Sequence, residues 1–164
     1  MTKNVLVNIT GAHMADGQTD DISLITAGTY YLKNGKHYII YEEAPEDGSG
    51  AIRNTIKIGK GKIEMIKNLD VRTHMIFEED KTNVSCFVTP FGQMMVGVST
   101  DRIQMEEQPD RLKVKIDYTL EVNYQKMSQC HIDIEVSSRA SASLNLSGKQ
   151  EEPEEQAGKG AQGQ

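Results

Sequence analysis

The sequence has no tryptophan, two cysteines, four prolines and no long hydrophobic run, and each shortage removes a class of protein. No stretch approaches the roughly 18 apolar residues of a membrane-spanning helix, so no membrane is expected as a partner. Cys86 and Cys130 stand alone, without Cys-x-x-Cys spacing, so neither a disulfide-stapled scaffold nor a zinc or redox site is indicated. Net positive charge is missing as well: 18 Lys and Arg face 24 Asp and Glu, a formal charge of −6. A phosphate-backbone binder needs a net basic surface. The one locally basic segment, Arg53, Lys57, Lys60, Lys62, Lys67 and Arg72, holds no aromatic residue on which a base could stack. Nucleic acid is therefore not an expected partner. Met1-Thr2-Lys3-Asn4-Val5 enters alternating sequence at once, with no signal-peptide core, and the expected location is the cytoplasm with both thiols reduced.

Large aliphatic residues are scarce at one end. From Ala140 onward only Leu144 and Leu146 occur, among Ser, Gly, Gln, Ala, Glu and Lys, with Glu151, Glu152, Glu154 and Glu155 around Pro153. Such a segment cannot bury enough apolar surface to offset its chain entropy. The reading is a folded domain over 1–138, long enough for one core, and a disordered low-complexity tail over 139–164.

What the rest contains is alternation. Leu112, Val114, Ile116, Tyr118, Leu120, Val122 and Tyr124 interleave with Lys113, Lys115, Asp117, Thr119, Glu121 and Asn123. A strand places these two sets on opposite faces. Cys130, Ile132, Ile134 and Val136 alternate with His131, Asp133 and Glu135, and shorter runs such as Val84-Cys86-Val88 and Met94-Val96-Val98 agree. Both cysteines fall in apolar phases and are expected as buried thiols. Asn34-Gly35 lies between two such runs, and both residues accept positive φ, a hairpin signature. Gly59-Lys60-Gly61, Asp47-Gly48-Ser49-Gly50 and Gln108-Pro109-Asp110 mark further breaks. No segment shows a convincing 3.6 period. The pattern means an all-β sandwich or barrel, and the successive hairpins favour a single closed or nearly closed antiparallel up-and-down barrel of about 8–10 strands.

Several segments resemble the YwiB-like family of uncharacterised bacterial proteins. They are Gly28-Thr29-Tyr30-Tyr31-Leu32-Lys33, Tyr38-Ile39-Ile40-Tyr41-Glu42-Glu43, Thr55-Ile56-Lys57-Ile58, Phe77-Glu78, Phe91-Gly92 leading to Ser99-Thr100, and Leu112–Glu121. The resemblance covers about residues 3–138 and departs at Lys67-Asn68-Leu69, where an Arg-x-Gly-like turn is expected. It implies a calycin-like, lipocalin-like barrel and no established activity.

Chemistry-bearing residues are few. His131, Asp133 and Glu135 share a strand face, but same-face neighbours lie about 6.5–7 Å apart, so a solvated face is expected and no metal site. His74 follows Arg72 as a surface cation, and His13 and His37 lie near turns without an evident partner in sequence. No Ser sits in a G-x-S-x-G elbow, and Gly59-Lys60-Gly61-Lys62 lacks the spacing of a phosphate loop. No catalytic residue and no cofactor is assigned. Polar groups in core-facing phases are more informative. Asn54 keeps step with Ile52, Ile56 and Ile58, Thr73 with Val71, Met75 and Phe77, Glu42 with Tyr38 and Ile40, and Tyr118 with aliphatics. In a filled core each needs a hydrogen-bond partner; in a hollow barrel they orient a ligand. The leading expectation is a non-catalytic barrel holding a small, partly apolar molecule through Tyr30, Tyr38, Glu42, Asn54, Thr73 and Tyr118. The second is an interaction or regulatory module with a filled barrel, working as a homodimer, and an enzyme ranks third.

Overall fold

A computed structural model describes residues 1–15, 17–44, 50–68 and 72–139. Apart from Arg139, the expected tail lies outside the described residues, as does the Asp47-Gly48-Ser49 loop. Ten strands follow one another: β1 (Asn4–Ala15), β2 (Gln18–Lys33), β3 (Lys36–Glu43), β4 (Ile52–Gly59), β5 (Lys62–Asn68), β6 (Arg72–Phe77), β7 (Lys81–Thr89), β8 (Gly92–Gln108), β9 (Arg111–Val122) and β10 (Gln125–Ser138). All pairings are antiparallel, and the sheet order β6-β5-β4-β3-β2-β1-β10-β9-β8-β7 is an up-and-down meander whose first and last strands pair. The result is a nearly closed barrel, interrupted only between β6 and β7.

Local chemistry explains most of this. Asn34 (φ 53°) and Gly35 (φ 75°) form the two-residue turn that pairs Lys33 with Lys36, the left-handed geometry that matches strand twist. Alternation becomes burial: Leu112, Val114, Ile116 and Tyr118 of β9, and Cys130, Ile132, Ile134 and Val136 of β10, point inward and are buried. The alternating run ends earlier than its pattern suggests. β9 stops at Val122, and Tyr124 lies with Asn123 in a tight turn at positive φ, largely exposed.

A second correction concerns Cys86. Cys130 is buried, but Cys86 is exposed, with Val84 and Val88 beside it on the outer face of β7. The cause is the gap in the ladder. The β6 carbonyls facing β7 lack backbone donors, and the polar phase of β7 turns toward them. The Asn83 amide donates to the Ile76 carbonyl at 3.3 Å and the Ser85 hydroxyl to the His74 carbonyl at 3.0 Å. This orientation satisfies those carbonyls and leaves the two valines and the thiol on the outer face.

A bulge in β8 between Thr100 and Arg102 also resets a phase. Before it Val96, Val98 and Thr100 face inward; after it the inward set is Ile103, Met105 and Glu107, opposite Ile116, Val114 and Leu112. One consequence appears at the end of the barrel where β8 finishes.

Candidate functional site

The two ends of the barrel differ. At the end where β1 begins, the interior is packed with Val5, Ile39, Ile58, Ile63, Phe77, Leu112 and Val136, none more than 1% exposed. A polar chain caps it. The Tyr30 hydroxyl lies 2.7 Å from His37 Nδ1, and His37 Nε2 lies 3.3 Å from Glu107 Oε2, brought inward by the β8 bulge. Burial, and then the Glu107 carboxylate, raise the Tyr30 pKa, so the phenol stays a neutral donor. Tyr30 thus closes this end. His37, which lacked a partner in sequence, finds two in space.

At the other end the barrel is hollow. A cavity of about 430 Å³ opens between β1 and β6, lined mainly by Ile9, Leu24, Ile56, Met65 and Met75. Its polar groups include Tyr41, Glu43, Asn54, Lys67 and Thr73. The Asn54 amide donates to Glu43 Oε1 at 2.7 Å, and Lys67 Nζ lies 3.3 Å from the same oxygen. Lys67 therefore offsets the Glu43 charge locally, and the mouth suits an uncharged molecule. Tyr41 lies beside them. Its pKa is pushed up to about 12, chiefly by burial and then by Glu43, so it too is a neutral hydroxyl.

Of the six expected site residues, the structure brings Asn54 and Thr73 together at this cavity. Tyr30 belongs to the closed end, and Tyr118 is buried in the core with its ring edge-on to Phe77 at 5.0 Å. Tyr38 and Glu42 require a correction, because they lie on the outer face. Tyr38 stacks on Tyr31 at 5.2 Å with the Lys57 ammonium 5.6 Å from its ring centroid, and Glu42 is exposed. The inward set of β3 is His37, Ile39, Tyr41 and Glu43. Tyr38-Ile39-Ile40-Tyr41 is apolar in both phases, so alternation within β3 decides nothing. The pairing partners do: the Asn34-Gly35 turn places Ile39 opposite Tyr30, and Ile39 faces Ile56 of the clearly alternating β4. Carrying the turn register forward would have found Tyr41 and Glu43.

The histidines on the outside behave as surface groups. His74 Nε2 lies 2.8 Å from Glu64 Oε1. The His131 ring lies between Asp117 at 2.5 Å and Asp133 at 3.0 Å, with all three side chains about 40% exposed. Among the described residues no cluster of three or more His, Cys, Asp or Glu is arranged to hold a metal ion.

A ten-stranded antiparallel meander, plugged at one end and hollow at the other, defines a small β-barrel protein with an interior cavity. Residues 7–134 match the family described as Domain of unknown function (DUF1934), and the chain belongs to that family. It is 25% identical over 107 residues, 65% of this chain and 74% of the relative, to the uncharacterized beta-barrel protein YwiB of Bacillus subtilis (strain 168). The crystal structure of the ywiB protein from Bacillus subtilis has the same fold, with a TM-score of 0.72 at 20% identity over 83% of this chain and 92% of that one.

Proposed function

We propose that the protein is a non-catalytic, cytoplasmic binding barrel that holds a small, uncharged, largely apolar molecule in the hollow end. The observation that carries this reading is the cavity of about 430 Å³. That size lies within the range of small-molecule sites, which are typically apolar with a few convergent polar groups. Ile9, Leu24, Ile56, Met65 and Met75 supply the apolar surface, and Asn54, Thr73 and Tyr41 supply hydrogen bonds. Glu43, the carboxylate among the described lining groups, is paired with Asn54 and Lys67.

A second reading, an interaction module working as a homodimer, draws support from the outer face of β7, where Val84 and Val88 flank Cys86, and from the fully exposed Phe91 in the turn that follows. One experiment separates them. A neutral fluorescent probe, N-phenyl-1-naphthylamine, is titrated into the protein and into Met75→Trp, with sedimentation velocity on both. The binding reading expects a saturable signal that Met75→Trp weakens at least about tenfold by filling the cavity, about 1.4 kcal/mol, with the fold intact. No saturable binding, together with sedimentation as a dimer, replaces it with the interaction reading.

A further inference from the structure

Outside the lining of the mouth cavity, four inward side chains of β8, β9, β10 and β1 sit at one register level. Thr100 of β8 pairs with Tyr118 of β9, Tyr118 with Cys130 of β10, and Cys130 with His13 of β1. Cys130 Sγ lies 3.2 Å from His13 Nδ1 and 3.3 Å from Ser128 Oγ. A thiol beside an imidazole nitrogen is a nucleophile beside a base, here 117 residues apart in sequence. When Nδ1 accepts, the thiol donates to it and the Ser128 hydroxyl donates to the sulfur. Tyr118 is kept protonated, its pKa raised by burial first and by Cys130 next, so a neutral hydroxyl stands beside the sulfur. An independent sign that something binds is Thr100. It is 2% exposed, on the same inner face, and its hydroxyl has no hydrogen-bond partner among the described residues. Buried polar atoms are seldom left unpaired without a reason.

We propose that Cys130 captures small uncharged α,β-unsaturated carbonyl compounds as covalent adducts, with His13 as the base and the Tyr118 and Thr100 hydroxyls as donors to the carbonyl oxygen. The thiol proton passes to His13 Nδ1. A sulfur lone pair forms the S–C bond to the β-carbon, and the C=C π pair moves onto the α-carbon and carbonyl oxygen as an enolate. The imidazolium then returns the proton to the α-carbon, leaving a saturated thioether. No oxidant, reductant or leaving group is involved. An internal disulfide is not the competing product, because Cys86 is exposed on the outer face of β7 while Cys130 is buried inside.

The proposal stands on this geometry and not on the mouth cavity. The test uses the full chain carrying Cys86→Ser, exposed to cyclohexenone and followed by intact mass and peptide mapping. The expected result is one adduct on Cys130, formed in the native state. His13→Gln should slow it at least about tenfold, the lower range of general-base effects being larger still, with an unchanged melting curve. Thr100→Val should slow it without loss of stability. Cyclohexanone, which keeps the carbonyl and lacks the C=C bond, should protect Cys130 at saturation, a readout that survives if His13→Gln does not fold. An adduct that forms only after unfolding, an equal rate in folded His13→Gln, or no protection by cyclohexanone overturns the proposal. Naphthylamine binding lost while the adduct forms rejects the mouth reading alone.

Discussion

His131 projects from β10 with both ring nitrogens engaged, Nδ1 by Asp117 and Nε2 by Asp133. Only the imidazolium can donate from both nitrogens at once. The Asp117 hydrogen bond therefore raises the His131 pKa above the ordinary imidazole range, outweighing desolvation, and Asp133 adds to it. A raised pKa means the folded state holds the proton more tightly than the unfolded chain. The contribution is complete below the unfolded value of about 6.5 and disappears as pH climbs through the folded value. His131→Gln should thus lower the melting temperature more at pH 6 than at pH 9, where the two proteins should converge. The difference should be modest, because the groups are about 40% exposed and solvent screens them. Thermal melts at the two pH values check it, and a gap that widens at pH 9 contradicts it. The same residue shows what can be read from a chain and what cannot. That His131 and Asp133 share a face follows from their spacing, whereas Asp117 arrives only through the β9–β10 register.

Among the described turns, the β9–β10 connection holds an aromatic residue in the left-handed region. Asn123 (φ 50°) and Tyr124 (φ 66°) occupy the left-handed region in succession, where Asn-Gly is the favoured pair. Asn tolerates that region; Tyr does not, because its Cβ crowds the following carbonyl at a cost of roughly 1–2 kcal/mol. Tyr124 is exposed and repays nothing through burial. Tyr124→Gly should therefore stabilise the protein by up to about 1 kcal/mol, the relief of strain less the extra entropy of glycine in the unfolded chain. Denaturant unfolding measures it, and a clear loss of stability would show that the ring makes a contact that matters. This turn escaped sequence reading because the apolar phase continues through Val122 to Tyr124, and the tight pairing of Val122 with Gln125 overrides it. By contrast Asn34-Gly35 and Lys60-Gly61 are legible, since glycine announces the backbone geometry.

The whole barrel closes by joining its two terminal strands and stays unjoined in the middle of the chain. β1 and β10 pair over ten residues, from Val5–Ser138 to Met14–Gln129. β6 and β7, though consecutive, are held by the turn at Glu78–Lys81 and by the Asn83 and Ser85 side chains. A ladder protects each amide, whereas two side-chain bonds leave the facing edges nearly free. Native-state hydrogen exchange should accordingly find the outward-edge amides of β6 and β7 among the fastest in the barrel and those of β1 and β10 among the slowest. Equal protection across the seam would mean it is closed in solution. β6 is also the wall that carries Thr73 and Met75 into the cavity, so the least secured strand borders the proposed binding site. Its shortness is one way an unpaired edge avoids recruiting another chain.

The strand content, the antiparallel meander and the turns at Asn34-Gly35 and Lys60-Gly61 were legible from residue order, because period-two patterning and turn chemistry act over a few neighbours. So was the inward placing of Asn54, flanked on either side by alternating isoleucines. Three decisions belonged to the folded molecule. Tyr41 and Glu43 were chosen over Tyr38 and Glu42 by pairing with β2 and β4, since β3 is apolar in both phases. Cys86 was sent outward by carbonyls of β6 that have no ladder partner. Glu107 was brought to the Tyr30–His37 pair, and His13 to Cys130, from strands far apart in the chain. A strand's sequence specifies that it has two faces; only its neighbours, through register and unmet hydrogen bonds, specify which face turns in.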